Sequence, residues 1–124
     1  MRRPATPEDF VPLNAPRYHI LVALGTEARH GYALMEELER RTEGQVTLLP
    51  GTLYTGMAKL LSDGLVEEAD GPDYEVRGRK RRYYRATELG RAVARLESRR
   101  LASVLAVARE GGLLDVDPGE EGLA

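Results

Sequence analysis

The sequence has no cysteine and no tryptophan, and one phenylalanine among 124 residues. Without cysteine there are no disulfide frameworks, no thiol catalysis and no cysteine-ligated metal, and a reducing compartment such as the cytoplasm is the natural setting. Two histidines, His19 and His30, are too few for an ordinary structural zinc site. No metal and no cofactor are expected. With so little aromatic bulk, a core drawn from the 42% hydrophobic residues must be mainly aliphatic. No apolar run approaches the roughly 20 residues that a membrane-crossing helix needs, and the N-terminus lacks the apolar segment of a signal peptide. Paired carboxylates on one helix face and a phosphate-cradling glycine loop are also missing, so an enzyme is not expected. Lysine is scarce too. Only Lys59 and Lys80 stand among 18 basic residues, which leaves 16 arginines, the better side chain for forked contact with phosphate.

What is present is a polarised charge layout hidden beneath a formal net charge of -2. Residues 67–75 carry Glu67, Glu68, Asp70, Asp73 and Glu75 with no base. Residues 77–85 carry Arg77, Arg79, Lys80, Arg81, Arg82 and Arg85 with no acid. The stretch Gly78-Arg79-Lys80-Arg81-Arg82-Tyr83-Tyr84-Arg85 is β-prone and repels itself unless a polyanion or an acidic neighbour answers it. Nucleic-acid phosphate is one answer; a solvated edge strand kept from aggregating is the other.

Along the chain, Pro4, Pro7, Pro12 and Pro16 predict an extended arm over 1–15, with Phe10, Val11 and Leu13 available to pin it to the domain or to a partner subunit. A first helix is expected from Pro16 to Thr26, with Ile20, Leu21 and Leu24 on one face beside Arg17. A polar turn, Glu27-Ala28-Arg29, follows. A second helix begins at His30-Gly31-Tyr32, His30 standing where a cap belongs, and stops before Gly44. A third runs from Pro50 to near Gly64 with Leu53, Met57, Leu60 and Leu61 on one side. Thr52, Thr55, Gly56 and Lys59 share the opposite side, a flat polar stripe. Glycine inside a helix costs roughly 1 kcal/mol, so Gly56 serves either close approach to a groove or a helix packing contact. Leu65 to Glu68 and Arg79 to Ala86 read as two strands of a hairpin turning at Gly71-Pro72-Asp73. Alternation along the second strand predicts one of Tyr83 and Tyr84 buried and the other exposed.

Thr87 caps a last helix that should reach Glu110 and end at Gly111-Gly112. Its apolar residues fill about half the circumference, more than packing on one small domain uses, and a second copy of the helix is the simplest partner. The expected dimer face is Leu89, Val93, Leu96, Glu97, Arg100, Leu101, Val104 and Leu105, with Glu97 and Arg100 pairing across a two-fold axis. Residues 113–124 read as a flexible acidic tail.

Three helices, a hairpin and a helix give a mainly α (α+β) fold, a winged helix-turn-helix. Residues 16–86 would form the DNA-binding domain and 87–112 the dimerisation helix. In such a fold the third helix enters the major groove and the wing flanks it along the backbone or the minor groove. His30-Gly31-Tyr32, Pro50-Gly51-Thr52-Leu53-Tyr54, Gly64-Leu65-Val66 and Arg82-Tyr83-Tyr84 with Thr87-x-x-Gly90 together resemble the PadR family of bacterial transcriptional regulators. The resemblance covers residues 18 to about 95. It implies a cytoplasmic homodimeric repressor on palindromic promoter DNA, in the compact branch with a single C-terminal dimerisation helix. It also implies DNA contact or support by Tyr32 and Tyr54, with Thr52 opening the recognition helix and Gly78, Arg79 and Lys80 at the base of the wing. The stripe adds Thr55 and Lys59 as base-facing residues, and the strand adds Arg81 to the phosphate contacts. Tyr54, at the edge of the apolar face, could instead place its ring in the core.

Some relatives in that family respond to phenolic acids, and others hold flat drugs between aromatic residues at the dimer centre. The last helix here has no aromatic residue to build such a sandwich. A small-molecule effector therefore remains an open partner, and an apolar cavity near Phe10, Tyr18 and the last helix is either its site or filled core. Two rival functions share the fold class. A protein-binding winged helix would show an apolar or acidic recognition helix, unlike Thr52, Thr55 and Lys59. An RNA binder would stack bases on the Arg-Tyr strand without preferring duplex.

Overall fold

The structure is a computed structural model that describes residues 3–70, 75–76, 79–80 and 82–115, with residues 75, 76, 79 and 80 described by backbone alone. Helix α1 spans Ala15–Leu24, strand β1 Arg29–His30, α2 Gly31–Arg41 and α3 Pro50–Ser62. Strands β2 (Val66–Ala69), β3 (Glu75–Val76), β4 (Arg79–Lys80) and β5 (Tyr83–Ala86) follow, then α4 (Glu88–Glu110).

Each helix start has a local cause. Asn14 Oδ1 accepts the Arg17 N–H at 2.9 Å and caps α1. His30 Nδ1 accepts the Ala33 N–H at 3.1 Å and caps α2, as its position in the sequence suggests. Thr87 Oγ1 accepts the Gly90 N–H at 3.0 Å and caps α4. Proline at the start of α3 costs nothing there, because the first turn lacks intrahelical acceptors for its donors. Gly64 ends that helix with φ +75°, a left-handed value natural to glycine, and the Leu65 N–H returns to the Leu60 carbonyl at 2.9 Å.

The core is aliphatic, as the composition requires. Ile20, Leu21 and Leu24 of α1 meet Leu34 and Leu38 of α2, Leu53, Met57 and Leu60 of α3, and Val93 of α4. At Gly56 a Cβ would lie 3.0 Å from the Ile20 side chain. The packing explanation therefore accounts for this glycine: it lets α1 seat closely on α3.

The sheet and the arm differ from the sequence reading. Arg29–His30, read as a turn and a helix start, is a strand, and the sheet has three strands in the order β1-β5-β2, all antiparallel. Two residues carry no apolar alternation to reveal them; pairing with β5 makes the strand. That pairing also overturns the expected alternation at the tyrosines, since both are buried, Tyr83 at 8% exposure and Tyr84 at 7%. Tyr84 joins the core, while Tyr83, on the other face, is covered by the His30 ring edge-on at 5.4 Å. The strand read as continuous from Arg79 is divided into β4 and β5, and β3 pairs with β4 as a separate ribbon. The turn expected at Gly71-Pro72-Asp73 lies outside the described residues.

The arm read as extended holds a 3-10 turn, Pro7–Phe10, that packs against α4. Leu13 behind it is buried. The tail from residue 116 onward lies outside the described residues.

Candidate nucleic-acid interface

Helix α3 is anchored by Leu53, Met57 and Leu60, so Thr52, Thr55 and Lys59 face solvent. This exposed side forms one wall of a groove of about 720 Å³ whose other wall is the first turn of α1, Asn14, Pro16 and Arg17. Lys59 Nζ lies 3.0 Å from Asp63 Oδ1, one turn further along the same helix. Tyr54 projects from the other edge of α3. The residue is 56% exposed, so it does not belong to the core. The hydroxyl lies 3.3 Å from where a Gly31 Cβ would stand, so the tyrosine rests against the start of α2. Tyr54, Tyr32, His30 and Arg82 line a second hollow of about 440 Å³. The candidate contacts on α2 and α3 thus lie on two grooves flanking one helix.

The wing is only partly described. The backbones of Arg79 and Lys80 pair with Val76 and Glu75, and Arg81 lies outside the described residues. At the base, Arg85 Nε meets Glu67 Oε1 at 2.7 Å across the β2–β5 pair, and Arg82 stands 3.8 Å from Glu68 in a largely exposed contact. The acidic first strand does answer the basic second one there. Arg82 was not among the expected contacts, nor was Arg17. Arg82 belongs to the basic run and was legible; Arg17 reads as part of a core-facing stripe.

Helix α4 divides in two. Val93 and Glu97 are covered by their own chain, Glu97 at 1% exposure. Glu97 Oε2 accepts the Leu13 N–H at 3.0 Å, and its two oxygens take Arg100 Nε and an Arg100 terminal nitrogen at 2.6 and 2.9 Å. The expected pairing across a two-fold axis is therefore corrected: the Glu97–Arg100 pair closes within one helix and tethers the arm. The Arg100 guanidinium holds the Glu97 carboxyl below the usual range against the opposing effect of burial, and the Leu13 N–H adds to this. Arg100 is raised in turn, chiefly by its bond to Glu97. Leu89, Leu96 and Leu101 are half-buried, whereas Val104, Leu105 and Val107 are exposed. The cavity expected near Phe10 and Tyr18 corresponds to a hollow of about 320 Å³ lined by Leu13, Tyr18, His19, Glu97, Arg100 and Leu101, without Phe10.

The model of the transcriptional regulator PadR-like family matches residues 20–96, from the middle of α1 into α4. The chain belongs to the PadR-like family of transcriptional regulators. Among curated relatives of this PadR-like chain, Transcriptional regulator Rv3488 of Mycobacterium tuberculosis is 41% identical over 98 residues, covering 79% of this chain and 85% of the relative. A PadR family transcription regulator from Clostridium difficile has a TM-score of 0.64 at 19% identity, over 77% of this chain and 95% of its own. Bacillus subtilis PadR in complex with operator DNA has a TM-score of 0.54 at 18% identity, over 64% of this chain and 44% of its own. At these identities the two structures speak to the fold, which is the winged helix. Among the described residues no helix is long and apolar enough to cross a membrane.

Proposed function

We propose that this PadR-like regulator is a cytoplasmic homodimeric repressor, without catalytic activity, that binds a palindromic site in double-stranded promoter DNA. Helix α3 enters the major groove with Thr52, Thr55 and Lys59 toward base edges. Tyr32 and Tyr54 meet the backbone on one side, and Arg79, Lys80 and Arg81 carry the wing onto phosphate. Residues 16–86 form the DNA-binding unit and 87–112 the dimerisation helix. One observation carries the reading: α3 is anchored by an apolar face while its opposite, hydroxyl-bearing side is exposed between two grooves that hold arginine and tyrosine. Bacillus subtilis PadR, solved in complex with operator DNA, supports DNA as the class of partner. The hollow at Leu13, Tyr18 and Leu101 is the place where a small effector would alter the seating of α4 on α1.

Footprinting on its promoter should reveal two protected half-sites whose centres lie about one helical turn apart, roughly 34–36 Å, or a multiple of that. Equal affinity for single-stranded RNA and duplex DNA, or protection of a lone unpaired site, would overturn the proposal.

A further inference from the structure

Two cations line the groove between α1 and α3, and they differ in how they are held. Lys59 is tied to Asp63 at 3.0 Å. Arg17 has no carboxylate partner among the described residues. Its backbone N–H is taken by the Asn14 cap, which fixes the turn it stands on. Its side-chain stem lies along Gly56, with Cγ 3.7 Å from where a Cβ would be. Gly56 thus has a second consequence beyond packing. The absence of a side chain there leaves Arg17 at the level of Thr52 and Thr55, lining the same groove.

Dimensions decide what such an arginine meets. The major groove is about 12 Å wide, and a helix with its side chains is about 10–12 Å across. Helix α3 alone fills it. A helix packed beside α3 has its axis about 8–10 Å away, at the groove wall, where the phosphates are. We propose that Arg17 is a DNA-contacting residue that clamps a backbone phosphate on the α1 side of the recognition helix, opposite the hollow lined by Tyr32, Tyr54 and Arg82. The assignment rests on α3 entering the major groove, as argued above. It extends the binding face onto a helix that otherwise serves the core.

The test is a salt titration of affinity, read by fluorescence anisotropy, on the footprinted duplex and on a shuffled duplex of equal length. The full chain is compared with Arg17→Met, which keeps the stem over Gly56 and removes the charge, and with Arg17→Lys, which restores it. Arg17→Met should weaken both duplexes alike and flatten the plot of log affinity against log salt by about 0.9 for each copy bound. Arg17→Lys should recover the slope. Unchanged affinity and slope for Arg17→Met, with the wild type binding normally, overturns the assignment and leaves the proposed function standing. A loss confined to the footprinted duplex, with the slope intact, overturns it in favour of base reading. A slope lost equally in Arg17→Lys also overturns it, because the effect would then follow packing and not charge. If the wild-type chain binds no duplex at all, it is the proposed function that fails.

Discussion

A buried carboxylate needs every oxygen answered, because an ionised group loses much of its hydration inside a protein. Glu97 meets that condition with the Leu13 N–H and both arms of Arg100, and in doing so joins the N-terminal arm to α4. Replacing it by alanine leaves a buried backbone donor without a partner and Arg100 unpaired. Glu97→Ala should cost roughly 1–3 kcal/mol in urea denaturation at neutral pH, with protease sensitivity rising at the arm before the core. The pH dependence has a definite sign. The folded-state carboxyl is held below its ordinary value, chiefly by Arg100, so its contribution is complete above the unfolded glutamate range. It is lost as pH falls through that range and then through the lower folded value. The stability gap between wild type and Glu97→Ala should therefore narrow on acidification. A gap that stayed constant into strong acid would show that packing, and not the carboxylate, holds the arm. Exposed pairs such as Lys59–Asp63 give no comparable effect, since water screens them.

At the scale of elements, Gly90 controls how α4 meets the sheet. A methyl group at this position would overlap the Leu65 carbonyl oxygen, which also accepts the Thr87 N–H at 3.0 Å. Both groups are backbone and neither can rotate away. Helix propensity favours alanine over glycine by about 1 kcal/mol, but overpacking against backbone costs about 1–3 kcal/mol, and the overlap here is at the severe end. Gly90→Ala should lower stability and reduce duplex affinity with it, as measured by thermal denaturation and anisotropy; a stabilised variant would disprove this account of the α4–β2 junction. The same residues show what a sequence can reveal. Periodic apolar spacing located all four helices, and the caps His30 and Thr87 were legible because a cap is a local matter of side-chain reach. Strand β1 was not, since Arg29 and His30 become a strand only by lying against β5. Burial of both Tyr83 and Tyr84 follows from that third strand. Arg17 was hidden for a related reason. Helical spacing groups it with Ile20, Leu21 and Leu24, and only the approach of α3 at Gly56 makes it a groove residue.

For the whole molecule, the question is what covers the far half of α4. At 23 residues the helix is about 35 Å long, and arm, α1 and β5 hold only its near half, ending around Glu97 and Ser98, where Tyr18 Oη lies 2.8 Å from Ser98 Oγ. Beyond it Val104, Leu105 and Val107 are exposed beside the half-buried Leu101. Fully burying such side chains is worth about 1.5–3 kcal/mol each, and a two-fold axis doubles every contribution. The face proposed for the dimer is accordingly Leu101, Val104 and Leu105, flanked by the half-buried Leu89 and Leu96, with Val93, Glu97 and the Arg100 fork beneath it as support. Because the near half of α4 is fixed to the DNA-binding unit, the geometry of that face would set the distance between two copies of α3, and hence the half-site spacing. Val104→Asp with Leu105→Asp should raise the dimer dissociation constant at least tenfold, a loss of 1.4 kcal/mol or more, as read by sedimentation. Circular dichroism should be little changed, because neither residue supports the core. Binding to an isolated half-site should survive while affinity for the intact palindrome falls toward it. A double variant that sediments as wild type would move the dimer face elsewhere, and a variant that lost half-site binding too would mean that the fold of one copy depends on the other.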